Sequence, residues 1–176
     1  VGRYDTVGID CVATNVNDLL CVGATPLAML DYIACEETDP EVFTELGRSL
    51  AEGARQAEVS IVGGETAQVR DMLRGAAEGR GLDVVGMALG LVPEGELIDG
   101  SAIQPGDTLI GLASNGIHCN GFSLVRSSLL ERHALDASIS ELGCSLADEL
   151  LRPVRIYVPQ IKALRASRIE LRGMAH

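Results

Sequence analysis

The sequence predicts an α/β fold divided into two domains, and three observations support this prediction. Segments with helical periodicity alternate with short apolar segments typical of strands along the 176 residues. The composition is 47% hydrophobic, 22% charged and 3% aromatic, which excludes disordered, collagenous and coiled-coil chains. A Pro-Glu-Gly sequence then interrupts the pattern at residues 93–95. We therefore expect one domain in residues 1–93 and another in residues 94–176.

Charge and cysteine content exclude several classes of protein. Fourteen Lys and Arg against 25 Asp and Glu give a net charge of −11, which repels nucleic acids and anionic membranes at long range. The longest uncharged run carries polar side chains unsuited to a membrane span, and the first ten residues lack the apolar segment of a signal peptide. The five cysteines are scattered, so neither a disulfide framework nor a zinc site is expected. We expect a cytoplasmic protein that binds neither nucleic acid nor membrane.

The first predicted element is a helix over residues 10–22. At about 100° per residue, its polar side chains fall on one side and its apolar side chains on the other, which is typical of a helix that covers a core. The polar side carries Asp10, Thr14, Asn17, Asp18 and Cys21. Gly23 suits the left-handed position after a helix, so we expect the helix to end there.

Four further elements are predicted in the first half of the chain. A buried strand is expected over residues 27–34, and Asp39 followed by proline is typical of a helix N-terminus. A short strand over 60–62 is expected to end at a glycine pair, which indicates a turn or a close backbone approach. Residues 68–81 are polar and lack a period, so we expect a mobile loop before a strand over 83–92.

The second half is expected to contain a strand over residues 108–113, a loop over 114–121 and a helix over 122–133. Ser145 begins a Ser-Leu-Ala-Asp sequence that resembles a capping box. Pro159 lies within the last apolar stretch, so it must begin a helix or kink one.

Two carboxylates on the predicted first helix are candidates for binding a cation. Asp10 and Asp18 share its polar side with Asn17, and no Lys or Arg lies on that side. Carboxylates held near one another repel, which raises the pKa of at least one of them or recruits a cation. Mg²⁺ suits such oxygen ligands and completes its shell with water and phosphate oxygens. A solvated helix face without a ligand explains the same spacing.

Two loops add further candidates. The Gly-Gly-Glu-Thr sequence at residues 63–66 combines a carboxylate and a hydroxyl with backbone N–H groups that can reach an anion, although a tight turn also explains it. In the 114–121 loop, His118 titrates near neutral pH and suits proton transfer. This loop precedes a predicted helix, whose N-terminus attracts anions. The alternative is a structural loop in which the Asn residues cap the helix.

Several motifs occur in an order that resembles one enzyme family over nearly the whole chain. They are Thr-Val-Gly-Ile-Asp at residues 6–10, Val-Asn-Asp-Leu at 16–19, Leu-Asp-Tyr at 30–32, Gly-Gly-Glu-Thr-Ala at 63–67, Asp-Val-Val-Gly at 83–86, Ile-Asp-Gly at 98–100, His-Cys-Asn-Gly-Phe-Ser-Leu-Val-Arg at 118–126 and Arg-Ile-Tyr-Val at 155–158. With these motifs the chain closely resembles the phosphoribosylformylglycinamidine cyclo-ligases, also called aminoimidazole ribonucleotide synthetases. The second and fourth motifs are shared with a wider ATP-using superfamily, whereas the motif that begins at His118 resembles the cyclo-ligases in particular.

The resemblance implies an ATP- and Mg²⁺-dependent ring closure in purine biosynthesis. In this family the formyl amide oxygen of formylglycinamidine ribonucleotide is phosphorylated, an amidine nitrogen attacks the activated carbon, and phosphate leaves. The implied fold has an N-terminal ATP- and magnesium-binding domain and a C-terminal domain. The N-terminal domains are expected to pair across a homodimer and form a barrel.

Carried over by position, the resemblance also implies roles for single residues. The expected metal ligands are Asp10, Asp18 and Glu65. The expected contacts to the nucleotide are Asn17, Gly63, Gly64, Thr66, Asn115 and Asn120. The expected catalytic residues are His118, Asp18 and Glu65, and His118 is the candidate for moving a proton during cyclisation.

The sequence departs from the family pattern at a few positions. The family commonly has Glu for Gln68, Met-Pro for Val69 and Arg70, Ser for Cys119 and Tyr for Phe122. The family's Asp-Gly-rich loop with its lysine would precede Val1, and its Gly-rich segment would follow His176, so we expect an internal fragment truncated at both ends. The alternatives are another ATP-using member of the superfamily, such as a selenophosphate synthetase or a small-molecule kinase, and a non-catalytic fragment that binds nucleotide or dimerises.

Overall fold

The chain folds into a mixed α/β structure, as the sequence predicts. The computed structural model describes residues 1–167 and 169–176. Its elements in chain order are α1 (Val7–Cys21), β1 (Thr25–Cys35), α2 (Pro40–Ala57), β2 (Ser60–Gln68), β3 (Leu82–Leu91), α3 (Phe122–Ser128), β4 (Ser138–Ile139), β5 (Cys144–Ser145), α4 (Leu146–Leu150) and α5 (Val158–Ala166). Within the described ranges, no helix has both the length and the apolar character needed to cross a membrane.

A three-stranded sheet lies at the centre of the first half. Its strand order is β2-β1-β3, with β1 parallel to β2 and antiparallel to β3. The parallel pair is joined through α2, because parallel strands need a crossover connection. The N-terminus of α2 is as predicted: Asp39 Oδ1 accepts hydrogen bonds from the N–H groups of Glu41 and Val42, and proline follows Asp39.

Helices α1 and α2 pack on one face of this sheet and bury its core. The most deeply buried apolar side chains here are Val12, Ala13, Val16, Met29 and Leu46. The two helices approach closely at Gly8, where a Cβ would overlap the backbone nitrogen of Leu50. The N–H of Gly8 donates to Ser49 Oγ at 3.0 Å. A residue without a side chain is therefore required at this crossing.

The other face of the sheet is apolar and exposed. Leu30 and Tyr32 of β1 pair with Met87 and Val85 of β3, and Leu89 follows on the same side. The exposed fractions of these five residues lie between 38% and 56%. We call this surface the outer sheet face.

Glu36 stabilises the loop between β2 and β3, residues 69–81. The Glu36 carboxylate, which is buried, accepts hydrogen bonds from the N–H groups of Gly75 and Gly81 at 3.0 and 3.1 Å. Arg74 adds an ion pair at 3.4 Å. The hydrogen bond from the N–H of Gly75 is the main reason that the pKa of Glu36 lies below its ordinary value.

The prediction that a strand ends at residue 62 is wrong. Strand β2 continues through the glycine pair, because Gly63 and Gly64 pair with Leu30 and Asp31 of β1. A Cβ on Gly64 would lie 2.6 Å from the carbonyl oxygen of Asp31. The glycine pair therefore serves the close pairing of two strands rather than a turn.

Two predictions in the second half also need correction. Residues 108–113 form no strand, since they have no sheet partner in the described part of the chain, and Leu109 is 98% exposed. The helix predicted over 122–133 ends at Ser128. The hydroxyl groups of Ser127 and Ser128 both donate to the carbonyl of Leu124, and such bonds compete with the backbone ladder of a helix.

Other predicted boundaries are confirmed. Helix α1 begins three residues earlier than predicted and ends just before the predicted Gly23 stop. Pro159 lies in the first turn of α5, as its fixed φ favours. Ser145 caps α4, where its Oγ accepts a hydrogen bond from the N–H of Asp148 at 3.1 Å.

Candidate functional site

The polar side of α1 is covered by an extended segment, residues 154–157, which we call the clasp segment. Asp10 is half-buried there, and its Oδ1 accepts a hydrogen bond from the N–H of Val154 at 2.8 Å. Burial raises the pKa of Asp10, while the N–H of Val154 and the thiol of Cys119 bond to the carboxylate and oppose that shift. Burial, with Asp10 beside it, raises the pKa of Cys119 to about 12. The thiol is therefore protonated and donates.

Asn17 also holds the clasp segment. Its Nδ2 donates to the carbonyl of Arg155 at 2.8 Å, and its Oδ1 accepts from the N–H of Tyr157 at 3.0 Å. Asn17 is only 2% exposed. A buried amide needs such partners, since an unpaired polar group is costly away from water. The geometry gives Asn17 a positioning role in the site.

Asp18 lies one residue further along α1 and faces solvent. Its side chain is 75% exposed. Its Oδ1 lies 3.2 Å from Nδ1 of His176, whose own side chain is 18% exposed. Asp18 is the carboxylate on this helix that remains accessible to a ligand.

The expectation that three carboxylates gather around one ion needs correction. Asp10 and Asp18 are eight residues apart, which corresponds to roughly 12 Å along a helix axis. Glu65 pairs with Tyr32, so it lies on the side of the outer sheet face, away from α1. Its Oε1 accepts a hydrogen bond from the N–H of Thr66. No three His, Cys, Asp or Glu side chains among residues 1–167 and 169–176 group closely enough to hold a metal ion.

The remaining predicted nucleotide contacts lie in two places. Gly63, Gly64 and Thr66 lie in β2, on the edge of the sheet. Asn115 donates through Nδ2 to the backbone carbonyl just before the clasp segment, at 2.9 Å, and Asn120 is exposed. Contact of these residues with a nucleotide stays a prediction.

His118 lies beside the clasp segment, in the 114–121 loop. Its φ of 63° is in the left-handed region, which is uncommon for a residue with a side chain. Its ring lies 6.4 Å from that of Tyr157 and 5.6 Å from that of His176, measured between centroids. Its Nε2 is buried without a hydrogen-bond partner in the described part of the chain. Burial, and to a smaller extent His176, lowers the pKa of His118, which favours the neutral ring.

Sequence reasoning missed two members of this cluster. Tyr157 belongs to a motif that carried the family resemblance, but its position beside His118 has no local signal. His176 has none either, because its contacts with Asn17 and Asp18 span more than 150 residues of chain. Only the resemblance of the 155–158 motif pointed to this region.

Two protein-family models match this chain, one in each half. Residues 2–92 match the model of the AIR synthase related protein N-terminal domain, and residues 104–176 match that of the C-terminal domain. The two matches end at residue 92 and begin at residue 104, so the predicted domain boundary between residues 93 and 94 stays a prediction.

Curated relatives match the entire chain. It is 47% identical to phosphoribosylformylglycinamidine cyclo-ligase of Methanothermobacter thermautotrophicus, covering 100% of this chain and 51% of the relative. The cyclo-ligase of Thermococcus kodakarensis is 46% identical, with 100% and 50% covered. The chain thus spans about half the length of the curated relatives that it matches.

Solved structures share the fold at lower identity. Thiamine-monophosphate kinase from Stenotrophomonas maltophilia has a TM-score of 0.61 at 24% identity, covering 93% of this chain and 48% of the other. The enzyme of the same name from Aquifex aeolicus has a TM-score of 0.57 at 17% identity, covering 93% and 49%. The two domain matches, which span most of the sequence, show that the chain belongs to the AIR synthase related protein family.

Proposed function

We propose that the complete protein catalyses the ATP-dependent cyclisation of formylglycinamidine ribonucleotide to aminoimidazole ribonucleotide in purine biosynthesis. The observation that carries this proposal is the identity of 47% and 46%, along the entire chain, with relatives named phosphoribosylformylglycinamidine cyclo-ligase. In the proposed reaction the terminal phosphoryl group of ATP passes to the formyl amide oxygen and ADP is released. An amidine nitrogen then bonds to the formyl carbon, and inorganic phosphate leaves with that oxygen.

His118 is the proposed proton acceptor for ring closure. The attacking amidine nitrogen must lose a proton as the new C–N bond forms. A neutral imidazole suits this role, and the lowered pKa of His118 favours the neutral form at physiological pH. Its Nε2 has no hydrogen-bond partner among residues 1–167 and 169–176. These two properties support His118 over other side chains of the loop.

Asp18 is the proposed protein ligand for magnesium. Mg²⁺ is commonly held by one or two carboxylates and completes its shell with water and phosphate oxygens, so one accessible carboxylate fits its needs. Asp18 is exposed, whereas Asp10 is engaged by the clasp segment. The ion would neutralise phosphate charge during phosphoryl transfer. Glu65 is kept as a candidate for a site that a second copy completes, because it lies on the opposite side of the sheet.

The outer sheet face supports the proposal of a homodimer. A contiguous exposed apolar surface is typical of an interaction site. A second copy is the proposed partner, because the same face on two copies forms a closed, two-fold interface. Met87 pairs with Leu30 near the middle of this face. Met87→Glu should convert the dimer to a monomer in analytical ultracentrifugation, and an unchanged mass would refute this interface.

The activity is tested with the purified complete protein, formylglycinamidine ribonucleotide and Mg-ATP. We expect aminoimidazole ribonucleotide and ADP in equal amounts. His118→Ala should lower kcat by about 100-fold to 10,000-fold, the range for loss of a general acid or base, and leave Mg-ATP binding intact. Turnover of thiamine monophosphate or selenide instead of the proposed substrate would overturn the proposal in favour of another superfamily activity. Binding of Mg-ATP without any turnover would indicate a non-catalytic protein.

A further inference from the structure

Three aromatic rings meet beside the polar side of α1. They belong to His118, Tyr157 and His176, and all three centroid separations lie between 5.6 and 6.4 Å. The ring of His176 also contacts α1, since its two nitrogens face the side chains of Asn17 and Asp18. It therefore lies between the proposed magnesium ligand and the proposed proton acceptor.

The surroundings of His176 determine which ring nitrogen carries its hydrogen. The orientation of the Asn17 amide is fixed by its bonds to the clasp segment, so Nδ2 presents hydrogen to Nε2 of His176 at 3.3 Å. That Nε2 must accept. The Asp18 carboxylate can only accept, and its Oδ1 lies 3.2 Å from Nδ1 of His176. In the neutral ring, Nδ1 is therefore the protonated nitrogen.

We propose that His176 is a positioning residue of this site: a hydrogen-bond chain from Asn17 through His176 holds the Asp18 carboxylate and fixes the ring that packs against His118. The assignment rests on the proposed function for the roles of Asp18 and His118. An exposed carboxylate otherwise samples several rotamers, and the Nδ1–H donor selects one of them. The source of this order is the buried amide of Asn17, which is itself anchored to the backbone.

The hydrogen-bond chain is tested directly by nitrogen NMR of the histidine rings in the complete protein at about pH 8, where a free imidazole is neutral. We expect His176 in the Nδ1–H form, assigned by the loss of its signals in His176→Gln. An Nε2–H form, which free histidine prefers, would overturn the proposal. This measurement needs neither ATP nor turnover, so it stands even where the proposed function fails.

The positioning role is tested with two amide variants. The amide nitrogen of Asn takes the place of Nδ1 in a histidine, and that of Gln takes the place of Nε2. His176→Asn should therefore keep the affinity for Mg-ATP. His176→Gln and His176→Ala should lower it about twofold to fivefold, since an exposed contact of this kind is worth up to about a factor of five. Equal affinities in the Asn and Gln variants would refute the positioning role.

A loss of activity in His176→Gln or His176→Ala without a change in Mg-ATP affinity would also count against the proposal. The reason is that His176 is expected to hold the carboxylate of Asp18, which is the proposed magnesium ligand. Failure of the complete protein to cyclise formylglycinamidine ribonucleotide would instead refute the proposed function. In that event the NMR result still decides whether the hydrogen-bond chain exists.

Discussion

Replacing Asn17 with alanine should loosen the clasp segment from α1. Asn17 is 2% exposed and makes two hydrogen bonds, at 2.8 and 3.0 Å, to the carbonyl of Arg155 and the N–H of Tyr157. Alanine would leave both backbone groups without a partner in a place that water scarcely reaches. Each bond contributes about 1 kcal/mol net, and each stranded group costs roughly 1–3 kcal/mol. The two stranded groups together should therefore cost the clasp segment about 2–6 kcal/mol of local stability.

Hydrogen exchange at the backbone amide of Tyr157 measures this loss. A change of about 2–6 kcal/mol corresponds to roughly 30-fold to 26,000-fold faster exchange when the amide exchanges through local opening. Asn15→Ala is the matched control. Asn15 lies on the same helix, but among the described residues its side chain bonds only to the carbonyl of Cys11, one turn back. Its replacement should change the exchange of Tyr157 by no more than about threefold.

Two results would refute this reasoning. One is unchanged exchange at Tyr157 in Asn17→Ala, which would mean that the clasp segment is held by other contacts. The other is equal acceleration in both asparagine variants, which would mean that α1 itself is weakened. Asn17→Asp keeps the acceptor for Tyr157 but loses the donor to Arg155, so it should recover only part of the protection.

Three further predictions follow from other parts of the fold. Gly8→Ala should lower the melting temperature, because the added methyl group overlaps the backbone of α2 and overpacking costs about 1–3 kcal/mol. Gly47→Ala, in open space on α2, is the control and should be neutral or slightly stabilising. Equal melting temperatures for the two variants would contradict the close approach at Gly8. Cys119 should react with iodoacetamide at pH 8 roughly 1,000-fold more slowly than an ordinary thiol, because its pKa of about 12 leaves little thiolate; a rate like that of an exposed cysteine would contradict it. Glu36→Gln should speed amide exchange in the 69–81 loop at neutral pH. Because the pKa of Glu36 is lowered, the stability that its carboxylate gives the loop is fully present above the ordinary pKa of Glu and is lost as the pH falls through the lowered value. A loop that is already open in the native protein at pH 6 would therefore refute this role.

Much of the first half could be predicted from the sequence because its signals are local. The two-faced period of α1 and the Asp39 cap of α2 are read within a few residues. The sequence left two interpretations of the glycine pair, a turn or a close backbone approach. The structure shows the close approach, since Gly64 lies within β2, where strand pairing leaves no room for a side chain. The strand expected at 108–113 failed for a related reason, since apolar residues favour a strand but only a neighbouring strand completes it.

The candidate site shows the same limit more sharply. The residue types on the polar side of α1 could be predicted, and so could the placement of His118 in a loop. Their partners could not, because the bonds of Asp10 and Asn17 reach across about 140 residues of chain and no local pattern encodes them. The gathering of the three expected metal ligands around one ion within a single chain was wrong for the same reason, since Glu65 lies on the other side of the sheet.

The clasp segment bonds to α1 through its main-chain atoms, so the side chain of Arg155 takes no part in those bonds. Any residue except proline supplies the N–H groups that the clasp uses. Val154 and Ile156 are buried and restricted in size, whereas Arg155 is exposed and its guanidinium bonds to the carbonyl of Ala113, in the same half of the chain. A cysteine substituted at Arg155 could carry a fluorophore, whose signal would report when the two halves of the chain separate without cutting the bonds that join them.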